Sequence, residues 1–278
     1  MLRDITLGQY YYADSSIHKM DSRSKLIITI LYIISLFIYT NKYVYIVSTL
    51  FLILCINISH VPFKFMVRGL KAVVILILFT VVFNMFLSGS TPLAKVGPLT
   101  ITTEGFRRAV YMAGRLMLLI IGSSILTLTT TPNNLTDGME SVMKPLKIIK
   151  VPVHEIAMMM SIALRFIPIL MEETDKIMKA QLARGADFES GNIIKKTKSL
   201  VPVLVPLFIS SFRRANDLAM AMEARCYRGG DGRTKMKPLK YSGRDYVAYL
   251  ISIIYLIAIV FVGKYGSAID NLLNIPYL

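Results

Sequence analysis

The sequence predicts an all-α, polytopic membrane protein with about five transmembrane helices and two further long helices outside the membrane. Of 278 residues, 54% are hydrophobic and only 18% are charged, whereas about a quarter of the residues in a soluble domain are charged. Mean hydropathy is +0.56. The 32 basic residues outnumber the 17 acidic ones, giving a net charge of +15. This excess suits nucleic acid, acidic partners or a cytoplasmic membrane face, and the apolar runs favour the membrane.

Four apolar runs supply five predicted spans, for each of which a helix of roughly 20 residues is needed. The run Leu26 to Ser59 is too long for one span and is interrupted at Thr40-Asn41-Lys42, so we interpret it as two short spans. The other spans are predicted at about 72–87, 109–130 and 246–262. Because the first 25 residues are polar, no cleavable signal peptide is expected, and the first span is expected to direct insertion.

Two more apolar runs, 156–171 and 200–211, are ambiguous. If the first run crossed the membrane alone, the basic residues that follow it would change sides, against the tendency of such residues to stay in the cytoplasm. The second is too short to span. The segment 132–244 holds more than half of all basic residues, so we predict that it is cytoplasmic, with the N-terminus inside and the C-terminus outside. Arg107 and Arg108 fit this topology poorly because it places them outside.

The predicted organisation therefore has three parts. Residues 1–131 form the N-terminal region and a four-span bundle, residues 132–244 form the cytoplasmic helical region, and residues 245–278 form the last span and an external tail. Within the cytoplasmic region, Pro152 opens a helical pattern that reaches Arg184, with a kink or break at Pro168. The stretch "ESGNIIKKTK" is predicted to be a loop and a basic turn. A second helix is predicted to follow Pro206, reach Arg225 and stop at Gly229-Gly230.

The two predicted helices end alike, in "AQLARGADF" and "AMEARCYRGG". A cation in the last turn stabilises a helix by about 0.3–1 kcal/mol, and a following glycine is a common cap. Alternatively, each arginine points off the helix end into a partner, where its planar group suits carboxylates or carbonyls. The small residues Ala183 and Ala224 would allow close approach. Physical reasoning leaves both interpretations open.

Methionines are frequent on these helices, and methionine suits surfaces that adapt to different partners. Composition favours ordinary packing between helices and leaves a partner surface as the alternative. The methionines concerned are Met158, Met159, Met160, Met171, Met178, Met220 and Met222.

Three stretches, "HKMDSRSKL" (His18 to Leu26), "AQLARGAD" and "AMEARCYRGG", together resemble signatures of a known family. The chain is similar, over essentially its whole length, to the transmembrane T component of energy-coupling-factor transporters. The resemblance implies a coupling subunit of the bacterial cell membrane, not an enzyme, with no catalytic residue, cofactor or metal. It would join two cytoplasmic ABC-type ATPases to one or more membrane substrate-binding S components. These S components would select the micronutrient, a vitamin or a transition-metal ion.

The resemblance also implies site residues. The two helix tips would dock into the two ATPases, Arg184 in one and Arg225 in the other, although Cys226 stands where the first tip has glycine. The tip residues are Ala183, Arg184, Gly185, Ala224, Arg225 and Cys226. The S component would contact the apolar faces, with Met158, Met159, Met160, Ile162, Leu164, Met171, Leu204, Leu207, Met220 and Met222.

The main alternative is a permease or secondary transporter with its own substrate pathway. It would require intramembrane acids or broken helices in matching halves, and the predicted spans contain no Asp or Glu. A membrane-embedded enzyme is disfavoured because the three histidines, His18, His60 and His154, lack metal-ligand spacing. Arg115 is the clearest charge inside a span, and we expect it to snorkel or to pair at a helix interface.

Overall fold

The structure is a computed structural model that describes residues 10–39, 41–87, 92–96, 99–188, 193–230, 236 and 238–272. Thr40, within the predicted interruption of the first apolar run, and positions 88–91 and 97–98, between the third and fourth predicted spans, lie outside these residues. The chain forms two compact units. One is Met143–Pro238, and the other combines Gly8–Val142 with Leu239–Leu278. The all-α class is confirmed, with one small addition that the sequence did not predict. The strands β1 (Pro92–Val96) and β2 (Leu99–Thr102) pair as an antiparallel hairpin.

The unit made of Gly8–Val142 and Leu239–Leu278 holds six helices. They are α1 (Ser22–Ile38), α2 (Lys42–Ser59), α3 (Phe63–Leu87), α4 (Thr103–Thr129), α5 (Pro132–Met143) and α8 (Gly243–Leu272). Helix α3 begins well before the predicted span, and its segments Phe63–Lys71 and Val73–Phe83 meet at 61°. The helix is therefore longer at its start than the span predicted at about 72–87. Helix α5 was not predicted, although Thr131 before Pro132 is a capping signal. The Thr131 hydroxyl accepts from the Asn134 N–H at 3.4 Å.

Four helices within the described residues, α2, α4, α8 and α6 (Val153–Ala183), are long and apolar enough to cross a membrane, and the bent α3 makes up to five. The chain is thus a membrane protein with several apolar helices. Helix α1 has 17 residues, at the lower limit of length for a span. By length and composition α6 could also span the membrane, whereas our topology places it outside. The location of α6 therefore stays a prediction.

The chain leaves and re-enters this six-helix unit at the same end. The Lys25 ammonium near the start of α1 donates to the carbonyl of Thr129, the last residue of α4, at 2.8 Å. The Asp21 N–H before α1 donates to Asp245 in the first turn of α8 at 2.9 Å. Between Thr129 and α8 the chain therefore makes either no membrane crossing or an even number of them. A single crossing by α6 alone is excluded.

An aromatic core holds α1, α2 and α8 together. The rings of Phe51 and Tyr255 stack with centroids 4.2 Å apart, and Tyr32 lies 6.0 Å from Tyr255. The Tyr255 hydroxyl is within 2.7 Å of the Ser35 hydroxyl and 3.1 Å of the Ser48 hydroxyl, so this buried polar group is satisfied between helices. Gly122 on α4 permits the arrangement, because a Cβ there would lie 2.5 Å from the Tyr32 ring.

The second unit contains a 3₁₀ helix (Lys144–Ile149), α6 (Val153–Ala183) and α7 (Ile193–Ala224). Helix α6 has the predicted limits and continues through Pro168. Helix α7 starts at Ile193, so the prediction that 193–198 is a loop is wrong. Proline within α7 removes a donor from the helix, and the side chain of Gln181 compensates by donating to the Pro202 carbonyl at 3.3 Å. That carbonyl would otherwise pair with the N–H that Pro206 lacks.

Candidate functional site

The C-terminus of α6 closes in a Schellman motif around Arg184. Arg184 is the C-cap residue of α6, and Gly185 follows in the left-handed region with φ +83°. The Ala186 N–H donates to the Gln181 carbonyl at 3.0 Å, and the Gly185 N–H donates to the Leu182 carbonyl at 2.9 Å. These two bonds satisfy carbonyls that a helix end leaves unpaired. The backbone thus fixes the position from which Arg184 projects.

The C-terminus of α7 repeats this geometry around Arg225. The Tyr227 N–H donates to the Met222 carbonyl at 3.1 Å, and the Cys226 N–H donates to the Glu223 carbonyl at 2.8 Å. Cys226 has φ +55° and takes the place that Gly185 has in α6. The prediction that Gly229-Gly230 stops the helix is wrong, because the left-handed residue already lies at 226. The substitution of cysteine for glycine therefore leaves the tip geometry intact.

Replacing Cys226 with glycine is expected to stabilise the α7 tip by about 1 kcal/mol, because a left-handed conformation strains residues that carry a Cβ. The measurement is the thermal unfolding midpoint of the detergent-solubilised chain. Gly185→Ala is the matched control, with the opposite expected sign, because it creates the same strain at the α6 tip. A lower midpoint for Cys226→Gly would contradict the expectation.

Helices α6 and α7 run antiparallel, so their tips lie at opposite ends of the pair. Gln181 contacts Pro202, and Glu173, eight residues earlier, contacts Ser210, eight residues later. Ala224 is 22 residues beyond Pro202 (224 − 202), or about 33 Å along α7 at roughly 1.5 Å per residue. Arg184 and Arg225 are both exposed. In the part of the chain that the structure describes, neither guanidinium has an ion-pair partner.

A half-buried polar cluster joins the two helices between the tips. The guanidinium of Arg214 on α7 donates to Glu173 on α6 at 2.9 and 3.2 Å, and the Ser210 hydroxyl donates to the other carboxylate oxygen. A charged pair with an additional hydrogen bond gives direction as well as strength. This cluster fixes the register of α6 against α7 and hence the placement of both tips.

Exchanging the two charges tests that role. Glu173→Arg and Arg214→Glu alone are each expected to lower the unfolding midpoint, because each leaves two like charges in contact. The double variant is expected to recover most of the loss. Residues in direct contact commonly show coupling energies of about 0.5–3 kcal/mol. Additive single effects in a double-mutant cycle would show that the pair does not hold the helices together.

The predicted S-component surface is divided by the structure into exposed and half-buried side chains. Four of the ten predicted residues are exposed: Met159, Met160, Leu204 and Met220. Six are half-buried: Met158, Ile162, Leu164, Met171, Leu207 and Met222.

Helix α7 presents a continuous exposed apolar stripe, of which the predicted set contains only one residue. Its members are Val201, Leu204, Val205, Phe208 and Phe212. They recur at three- and four-residue spacing and therefore share one face of the helix. The rings of Phe208 and Phe212 lie 4.8 Å apart, and the Phe208 side chain is 65% exposed. The stripe lies within the apolar face of Val201 to Met222 that the resemblance assigns to the S component, and the helical periodicity of 201–212 identifies its members.

The stretch "HKMDSRSKL" joins the start of α1 to the start of α8 through hydrogen bonds, a role that the sequence did not reveal. Asp21 caps α1 by accepting from the Arg23 N–H at 2.9 Å, and it also holds the Arg23 guanidinium at 2.7 Å. That guanidinium lies 4.1 Å from the centre of the Tyr241 ring. Asp245, 1% exposed, accepts from the Asp21 N–H and from the Ser242 N–H, the latter at 2.7 Å. Asp245 was missed because it lies one residue outside the predicted span.

The segment before α1 is fixed by His18. Its Nε2 donates to the Tyr11 carbonyl at 2.9 Å, while Nδ1 accepts from the Ser15 hydroxyl at 2.7 Å, as expected for a neutral ring. Burial lowers the pKa of His18 below its ordinary value, and the nearby Lys25 charge adds to this effect. The Lys25 ammonium also donates to the His18 carbonyl at 3.2 Å. The segment is therefore tied to α1 and, through Lys25, to α4.

Arg115 pairs at a helix interface, one of the two arrangements expected from the sequence. Its Nε and terminal nitrogen donate to the Tyr45 hydroxyl on α2 at 3.1 and 2.9 Å. Its guanidinium also lies 5.4 Å from the centre of the Phe37 ring, a distance at which cation–π attraction acts.

Comparison with known proteins gives one consistent result. Residues 13–236 match the family model described as CbiQ, cobalt transport protein. A Clostridium kluyveri protein named energy-coupling factor transporter transmembrane protein EcfT is 58% identical over 256 residues, 91% of this chain and 95% of that protein. Proteins of the same name from Thermosediminibacter oceani and Bacillus subtilis are 52% and 44% identical. These matches cover 90% and 94% of this chain and 94% and 98% of the respective relatives.

Proposed function

The chain belongs to the family of transmembrane T components of energy-coupling-factor transporters, and from this premise we propose that it transmits ATP-driven motion to a substrate-binding S component. Two cytoplasmic ABC-type ATPases would supply that motion. Hydrolysis would reside in those partners, and this chain would act as the mechanical link. The cargo would be a micronutrient, a vitamin or a transition-metal ion, that the S component selects.

One observation carries the proposal: two identically capped, exposed arginine tips lie at opposite ends of one antiparallel helix pair. A cation that serves only the helix dipole needs no particular neighbour, yet both arginines here occupy the same position of the same motif. A separation of about 33 Å along α7 (22 residues) suits one tip per ATPase subunit. The rigid fork of arginine matches carboxylates and backbone carbonyls in a docking groove. Ala183 and Ala224, immediately before the arginines, leave room for close contact.

The exposed stripe of α7 supports the second contact, with the S component. Five apolar side chains at helical spacing form a surface of the kind that marks a protein or membrane interface. The S component is itself a membrane protein, so an apolar contact suits it. Movement of α7, tied to α6 through Glu173 and Arg214, would then carry displacement from a tip to the S component.

The proposed orientation places 132–244 in the cytoplasm, the N-terminus inside and the C-terminus outside. The excess of basic residues in 132–244 supports it. The end of α4 at Thr129 and the start of α8 lie at the same end of the six-helix unit, which agrees with it. Labelling of a cysteine introduced at Glu172, in a Cys226→Ser background, would be expected only after the cells are permeabilised. Labelling in intact cells would contradict the orientation.

Reconstitution into liposomes tests the proposed function. ATP-driven uptake is expected only when the chain, both ATPases and an S component are all present. The informative variant is Phe208→Asp, which places a charge in the stripe. It should lose the S component on purification and retain the ATPases, with Asp217→Asn on the same helix as the matched control. Solute uptake by the chain alone would instead establish a permease with its own pathway.

A further inference from the structure

A cavity of about 920 Å³ lies within the six-helix unit, at the end where the chain leaves and returns. Helices α1, α2, α4 and α8 and the segment before α1 line it. Its volume is at the upper end of the range for sites that hold small organic ligands. The coupling role described above makes no use of it.

One end of the cavity is basic. Lys19, Lys25 and Arg244 line it, and no carboxylate does so among the residues described. Asp14 pairs with Lys19 at 2.5 Å and balances that charge, and Asp21 pairs with Arg23, so Lys25 and Arg244 are the cations left to face the cavity. Both oxygens of Asp245 accept from the protein. The basic end therefore has room for an anion.

Lys25 is the central group of this end. Its side chain is buried, with 6% exposed, and its ammonium donates to the Thr129 and His18 carbonyls. An ammonium has three donors, so one N–H remains beyond these two bonds. The Asp21 and Asp245 carboxylates attract its charge from nearby, but neither of them lines the cavity. The exposed Arg244 at the start of α8 adds a second cation with no ion-pair partner in the described part of the chain.

The rest of the wall is apolar and reaches the surface of the unit. Deeper lining residues include Ile28, Leu52, Ile125 and Ile251. Leu54 and Ile58 on α2 and Val247 on α8 also line the cavity and are exposed, so it opens outwards between these helices. In a membrane protein such an opening faces lipid chains. The cationic end lies beside helix termini, where phosphate groups of the bilayer are found.

We propose that this cavity binds one anionic phospholipid, with its phosphate at Lys25 and Arg244 and an acyl chain along the apolar wall between α2 and α8. The charge pattern and the apolar outlet together match one amphipathic anion of this class. A neutral lipid would bring no negative charge to Lys25 and Arg244, and a free anion would make no contact with the apolar wall. Bound lipid would tie the start of α8 to α1 and α4.

Native mass spectrometry of the full chain, released from nanodiscs of mixed phosphatidylglycerol and phosphatidylcholine, tests the site. We expect one retained phosphatidylglycerol per chain, preferred over phosphatidylcholine by at least about tenfold. Arg244→Gln should lower that preference severalfold, and Ala248→Phe, which fills the cavity, should abolish retention of either lipid. Lys64→Gln, an exposed lysine at the start of α3 that does not line the cavity, is the matched control.

Two further arms separate the alternatives. Phosphatidylglycerol should raise the unfolding midpoint of the wild-type chain more than that of Arg244→Gln, whereas inorganic phosphate should raise neither. Equal retention of both lipids, an unchanged preference in Arg244→Gln, or equal stabilisation by inorganic phosphate would overturn the proposal. So would displacement of the lipid by a polypeptide in the complete complex, detected as a cross-link from Cys55. No ATPase takes part in the lipid measurements, so their failure would not affect the proposed coupling function.

Discussion

Charge reversal at both helix tips, Arg184→Glu with Arg225→Glu, is expected to abolish ATP-driven uptake and co-purification of the ATPases. Each tip presents an exposed guanidinium at the C-terminus of a rigid helix. Once docked, such a group is desolvated, and breaking a buried charged contact costs about 3–5 kcal/mol. Two independent losses would reduce affinity by several orders of magnitude. Each single reversal should weaken one ATPase contact and leave partial assembly.

Arg228→Glu is the matched control for this prediction. Arg228 is exposed and lies three residues beyond Arg225, but it is outside the Schellman motif of α7. The Arg228→Glu substitution changes the net charge by the same amount as a single tip reversal while leaving the tip itself unchanged. Full co-purification is therefore expected. If the double tip variant retained the ATPases and normal uptake, the tips would have no role beyond capping their helices.

Asp245→Ala is expected to lower the free energy of unfolding by about 3–5 kcal/mol, the largest stability effect that we anticipate for one residue. The carboxylate is buried and accepts from two backbone N–H groups, those of Asp21 and Ser242, and from the Ser242 hydroxyl. Its removal leaves these donors unpaired and takes a negative charge from beside Lys25. The hydrogen bonds that join the start of α1 to the start of α8 would be lost.

Thermal unfolding of the purified chain measures the effect of Asp245→Ala. Asp245→Asn should be less severe because its amide retains one acceptor oxygen. Asp14→Ala is the control, because the Asp14 side chain is 75% exposed and pairs with the exposed side chain of Lys19; surface pairs of this kind contribute about 0–1 kcal/mol. Equal unfolding midpoints for Asp245→Ala and Asp14→Ala would show that the hydrogen bonds to Asp245 are not needed for stability.

Much of the secondary structure is predictable from local sequence because apolar run length and proline or glycine placement act over neighbouring residues. Helix α6 begins after Pro152 as expected. The errors lie where a distant group intervenes. Helix α7 begins at Ile193 and continues through two prolines, and Gln181 on another helix donates to the Pro202 carbonyl that Pro206 leaves unpaired. Cys226 adopts the left-handed conformation that glycine favours, and only the backbone reveals it.

By itself, the sequence determined that this chain is a helical membrane protein, and it carried the three stretches that assign it to its family. Apolar length and charge composition are sums over residues, so they need no knowledge of distant contacts. The tertiary structure alone decided that the two arginine tips share one geometry at opposite ends of a helix pair. It alone also joined Asp21 to Asp245 and enclosed Lys25 beside an apolar cavity. These features depend on hydrogen bonds and packing between residues far apart in the chain, which local sequence patterns do not encode.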